Sequence, residues 1–190
     1  MAIASSLSEW FVTDRAATNL RTRYEQERAI IAAESGPDAT VPPAFLDPTD
    51  GSAWGRVMIG DGRLPMQHDT QVLLECSGGQ PLGGKMPGVG RMAYTLTVTC
   101  QHRSQVYATA TAAGTDPAWE TTNAGHRTVQ LLARTVQITL LRNMMGGGIY
   151  MFRPSSSAPV APSRGTPDIY AWRMTFSVAA KVLDPVHVAA

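Results

Sequence analysis

From Arg91 to Arg103 apolar and polar residues alternate one for one. Met92, Tyr94, Leu96, Val98, Cys100 and His102 hold the even positions; Ala93, Thr95, Thr97, Thr99 and Gln101 hold the odd ones. A period of two in a run rich in β-branched and aromatic residues predicts a long strand with one apolar and one polar face. A second run repeats the pattern across 168–182, where Tyr170, Trp172, Met174, Phe176, Val178, Ala180 and Val182 alternate with Ile169, Ala171, Arg173, Thr175, Ser177, Ala179 and Lys181. These two strands are the expected floor of one sheet.

Elsewhere the period lengthens to three and four. Ile3, Leu7, Trp10, Ala17, Leu20, Tyr24 and Ile31 form an apolar stripe that predicts a helix over 3–34. Ser6 and Glu9 fit a capping box, and Gly36-Pro37 marks its stop. Such a helix is roughly 45 Å long at 1.5 Å per residue. It therefore either breaks near residues 13–18 or projects beyond the sheet. A second helix is predicted over 122–145. Val129, Leu132, Val136 and Leu140 share one face with Ala133 and Leu141 beside it, and Gly146-Gly147-Gly148 ends it. Shorter strands are predicted at 53–59, 70–76 and 149–152.

Three stretches read as connections. Residues 35–52 carry Pro37, Pro42, Pro43 and Pro48 and form an extended linker. Residues 77–90 are rich in glycine, and the expectation is a flexible hairpin loop between antiparallel strands. Residues 153–167 hold Pro154, Pro159, Pro162 and Pro167 among serines and read as an inserted arm, either an ordered contact or a loop. Residues 104–120 read as a further connection. The whole is one α+β domain over 1–190. A single, mostly antiparallel β-sheet is packed by two amphipathic helices in the order α-β-β-β-α-β-β.

Composition narrows the function classes. A length of 190 residues with 44% hydrophobic residues suits one domain with a full core. A formal net charge of +1 provides no strong field for nucleic acid or anionic membrane. No apolar run approaches the ~20 residues that span a bilayer. The N-terminus lacks the basic region and apolar core of a signal peptide, so folding in a cytoplasm is expected. Cys76 and Cys100 each sit in a strand-like run and read as reduced thiols.

Candidate chemistry is sparse. Cys76, Cys100 and His102 are the one set of metal-binding types that a sheet could bring together. No C-x-x-C or H-x-x-x-H spacing accompanies them, and a buried thiol beside an edge histidine explains them better. The glycines of 77–90 lack the Gly-x-x-x-x-Gly-Lys-Ser/Thr order of a phosphate loop, and a strand follows them rather than a helix; Lys85 is the strong cation inside. No Gly-x-Ser-x-Gly elbow occurs. Asp47/Asp50 and Asp61/Asp69 sit among turn formers. Tyr94, Tyr170 and Trp172 have the types of an RNA-stacking platform, but they share the apolar face that the helices must cover. Neither enzyme activity nor a cofactor is expected.

The α-β-β-β-α-β-β order, the glycine-rich loop running into the strand 92–102, the late amphipathic helix and the final strand 170–182 resemble the tail terminator, or tail completion, proteins of long-tailed bacteriophages. The resemblance spans roughly 3–184. It implies a small α+β virion subunit of the tail and neck, made in the host cytoplasm. It implies a homo-oligomeric ring, with six-fold symmetry, that caps the head-proximal end of the tail tube. The implied partners are the tail tube protein, the head-tail connector or neck proteins, and the sheath in a contractile tail. DNA passes through the lumen without sequence-specific binding, and the family has no catalytic residue to carry over. The alternatives are another neck or tail-tube-like ring protein, or a ligand-binding module using the 77–90 loop.

Contact residues follow from this expectation. Arg21, Arg23, Glu25 and Arg28 on the first helix are candidate subunit contacts, with a solvated helix face as an equal reading. Lys85 in the 77–90 loop, and Arg153 and Arg164 in the 153–167 arm, are candidate axial contacts. Thr95, Thr97 and Thr99 lie on the polar face of the central strand. They are expected to meet solvent, a lumen or a neighbouring subunit rather than this chain's helices.

Overall fold

The computed structural model describes residues 2–35, 42–44, 56–60, 69–82, 89–104, 119–161 and 168–183, with the backbone alone at 2–8, 35, 81, 89–90, 119–124 and 182–183. In chain order these form α1 (Ala2–Ser35), β1 (Val57–Ile59), β2 (Thr70–Pro81), β3 (Val89–Arg103), α2 (Trp119–Asn143), β4 (Ile149–Val160) and β5 (Ile169–Leu183). The five strands make one mixed sheet in the order β1-β2-β3-β5-β4. The fold is α+β, and the element order is the one the hydrophobic pattern predicts.

The two strongly alternating runs are the centre of the sheet. β3 pairs β5 in antiparallel register along its whole length, from Val89↔Leu183 to Arg103↔Ile169. Tyr94, Leu96, Val98 and Cys100 of β3 and Tyr170, Met174, Phe176 and Val178 of β5 are buried in one cluster with both helices. Phe152 of β4 stacks on Phe176 with centroids 4.7 Å apart. α1 packs over β1 and β2, and α2 packs over β3 and β5, so both helices cover the same sheet face.

α1 is a continuous helix of 34 residues, about 51 Å long. It does not break near residues 13–18. Thr13, the polar residue at the suspected break, donates its hydroxyl to the Glu9 carbonyl at 3.0 Å and is satisfied inside the helix. The buried face is Val12, Ala16, Ala17, Leu20 and Tyr24. Trp10, counted in the predicted stripe, lies off this face and is 62% exposed. The capping box at Ser6 lies outside the described side chains.

α2 begins at Trp119 and ends at Asn143, a slightly earlier span than predicted. Val129, Leu132, Ala133, Val136 and Leu140 are buried as expected, whereas Leu141 is exposed. Thr135 and Thr139 are fully buried, their hydroxyls donating to the carbonyls of Leu131 and Thr135. A helix can hide threonine by this i−4 bond without leaving a polar atom unpaired.

Two predicted loops are partly strand. Residues 77–81 belong to β2 and pair with β3 as far as Pro81↔Met92, with one bulge between Gly78 and Gln80. Gly78 at φ +111° and Gly79 at φ +84° take the left-handed backbone this bulge requires. Residues 153–160, read as the start of an arm, continue β4 along β5 to Val160↔Ala171. β4 is an edge strand, so the missing N–H groups of Pro154 and Pro159 need cost no ladder bond, and bulges absorb the remaining irregularity. β1 is only Val57–Ile59 and runs parallel to β2, the one parallel pair of the sheet. The linker at 35–52 and the connection at 104–120 fall mostly outside the described residues. So do Lys85, Arg164 and 162–167 of the arm.

Candidate interaction surface

Cys76, Cys100 and His102, weighed as metal ligands and set aside on their spacing, are held apart by the register. Cys76 sits opposite Leu96 and Cys100 opposite Val72, which sets the two thiols about four residues apart along the ladder, roughly 13 Å. Burial, with the negative Glu9 nearby, pushes the Cys76 thiol up to about 12, and burial alone pushes Cys100 up as well. His102 instead meets Thr70, with Nδ1 3.1 Å from its hydroxyl. Burial lowers its basicity, and Asp69 offsets this in part. Among the described residues no three His, Cys, Asp or Glu side chains converge on a metal-sized point. The aromatic set is closed too: Tyr94 and Tyr170 are buried, and Trp172 donates its indole N–H to Ser157 Oγ at 2.8 Å.

Three of the four charged residues proposed on α1 have partners within the chain. Arg21 donates to the Val57 carbonyl at 2.6 Å, tying α1 to β1, and its partial burial lowers its pKa. Arg28 donates to the Pro42 carbonyl at 2.7 Å and pairs with Glu25 at 3.2 Å. Arg23 is exposed. A pattern of charges on a helix does not separate a contact from an internal brace; the positions of β1 and of residues 42–44 decide it. Arg153 is exposed on β4 opposite Ser177.

The face of the sheet away from the helices is graded. Thr95 is exposed and Thr97 half-buried, beside Ser177 and Thr175 of β5. Ser155 and Ser156 of β4 both reach the Thr175 hydroxyl, at 2.8 and 2.7 Å. This end is a hydroxyl-rich surface. Thr99 is different, at 8% exposed, and its partner Leu73 at 2% is buried outside the main core cluster. Next along, the Gln71 side-chain amide donates to Gln101 at 2.6 Å, with Gln71 fully buried. The expectation of one open threonine row therefore holds for Thr95 and fails at Thr99.

Among the described residues, the most exposed apolar side chains border the N-terminal half of α1, and periodicity alone missed them. Successive helical residues point about 100° apart. Trp10 therefore faces the β1–β2 side, where it lines a recess of about 220 Å³ with Glu9, Thr13, Ile59, Leu74 and Cys76. Phe11, 40% exposed, turns the other way, beside Gly148 in the turn between α2 and β4. Met145 and Tyr150, 50% and 40% exposed, flank the same turn. The consecutive aromatics Trp10-Phe11 were the available signal, because one helical face cannot bury both.

That turn is held by α1. Arg15 donates from Nε to the Met144 carbonyl and from Nη2 to the Met145 carbonyl, both at 3.1 Å, and Asn19 donates to the Asn143 carbonyl at 3.0 Å. These carbonyls lie at the negative end of α2 and have no helical N–H to accept from. Gly147, at φ +55°, lies against the guanidinium of Arg15. No family of known proteins matches this chain, and no curated protein matches it in sequence.

Proposed function

We propose that this chain is a structural virion subunit that assembles into a ring and caps the head-proximal end of a long-tailed phage's tail tube. One observation carries the reading: the order α-β-β-β-α-β-β is folded with both helices on a single sheet face. Among the described residues, that arrangement leaves the Thr95–Ser177 end of the second face and the β4 edge for contacts. Its surface chemistry is of the right kind, with hydroxyls around Thr175 and exposed aromatics on α1. The near-neutral charge suits a lumen through which DNA slides, because a strongly basic lining would hold phosphates. Tube protein and neck or connector proteins are the partners on this reading, and no cofactor is called for.

Negative-stain microscopy and native mass spectrometry of the protein, alone and mixed with tail tubes, test it. The expected result is a closed ring and tubes of fixed length carrying density at one end. A chain that stays monomeric and neither binds tubes nor arrests their growth would refute it.

A further inference from the structure

The two exposed apolar patches beside α1 lie toward opposite edges of the subunit. The Trp10 patch adjoins β1 and β2, and the Phe11 patch adjoins the start of β4; β1 and β4 are the two edges of the sheet. We infer that these patches are the two unlike halves of one contact, so that the Trp10 patch of each copy of this chain docks on the Phe11–Met145–Tyr150 patch of the next. The inference rests on the ring reading above and names the surfaces that would close it.

Geometry and charge both favour this occupant. A contact between unlike patches on opposite edges propagates head to tail and closes into a ring when the rotation allows. A two-fold contact would instead require one patch to match itself. The Trp10 recess is acidic: Glu75 is exposed at it and Glu9 lines it. The Phe11 side is basic. Arg15 caps the turn there, Lys181 is exposed and bonded through its backbone N–H to the Gly148 carbonyl at 2.8 Å, and Arg153 follows on β4. Each patch alone repels its own kind and attracts the other, which selects the head-to-tail pairing. Exposed Trp, Phe, Met and Tyr are residue types enriched at contacts of this sort.

Two single variants, Trp10→Asp and Met145→Asp, each spoil one patch and leave the other intact. Both positions are exposed, so unchanged circular dichroism and melting temperature verify the fold. Native mass spectrometry is run under the condition in which the unmodified chain assembles, alone or on tubes. Each variant by itself should have the mass of one chain. An equimolar mixture should form a two-chain species containing one copy of each and nothing larger, because only one good pair of patches remains between them. A ring from either variant, or a mixture that stays as single chains, overturns the inference while the ring reading stands. An unmodified chain that assembles in neither condition overturns both.

Discussion

Arg15 joins the two helices through a point that can be weighed. Its guanidinium donates to two carbonyls at the end of α2 that the helix itself cannot satisfy. Hydrogen bonds to charged groups contribute about 1.5–3 kcal/mol each when shielded. Here the Met144 bond is partly buried and the Met145 bond exposed, so screening by water reduces the second toward the few tenths of a kcal/mol of a surface interaction. The favourable charge at the helix C-terminus is part of the same interaction. Arg15→Ala should therefore cost about 1.5 kcal/mol, which for a domain of this size is a fall in Tm of roughly 3–6 °C. Arg15→Lys should recover less than half, since an ammonium cannot present two donors in the planar fork that reaches both carbonyls. Gly147→Ala supplies an independent check. It forces a Cβ into the left-handed region and against the guanidinium, so it too should destabilise by about 1–2 kcal/mol. Removing the arginine relieves the steric part, and the double variant should be more stable than the sum of the two singles by about 0.5–1 kcal/mol. Urea denaturation of the parent and the four variants, with m-values compared, measures all of this. An Arg15→Ala protein within 0.3 kcal/mol of the parent (roughly the error of such comparisons) would refute the capping account, as would strict additivity with Gly147→Ala.

Two other predictions concern the far end of α2 and the sheet's polar end. A Cβ at Gly125 would stand 2.6 Å from Cδ2 and 2.9 Å from Cζ of Tyr170, a buried ring already held edge-on by His126 at 4.7 Å. Gly125→Ala should destabilise by about 1–3 kcal/mol despite alanine's higher helix propensity, and pairing it with Tyr170→Phe should not relieve it, because the clash is with the ring; a stabilised Gly125→Ala protein by thermal melting would contradict this packing. The folded-state pKa of His102 is lowered, so the unfolded chain binds the proton more readily and stability rises with pH. The contribution of His102 is present above its unfolded value of about 6.5 and is lost as pH falls below it. His102→Gln should flatten the urea midpoint between pH 7 and 5 relative to the parent, and equal slopes would show that the ring is not held neutral.

Much of the architecture was legible because it depends on period alone. The alternation through Tyr94–Cys100 and Tyr170–Phe176 identified β3 and β5, and Val129, Leu132, Val136 and Leu140 identified α2, since each burial pattern follows from backbone geometry. Tertiary structure decided what depends on a neighbour. Pro154 and Pro159 argue against a strand everywhere except at an edge, and only the position of β4 beyond β5 makes them permissible. Whether Arg21 and Arg28 face a partner or brace their own chain depends on where Val57 and Pro42 come to lie. Trp10 belongs to a helical stripe by spacing, but the face that α1 buries runs through Val12, Ala16, Ala17, Leu20 and Tyr24, and the indole lies off it. Thr95 and Thr99 share one face and one residue type, yet one meets solvent and the other lies beside a buried Leu73. Local periodicity specifies which side of an element a residue occupies. What stands on that side is a property of the rest of the chain.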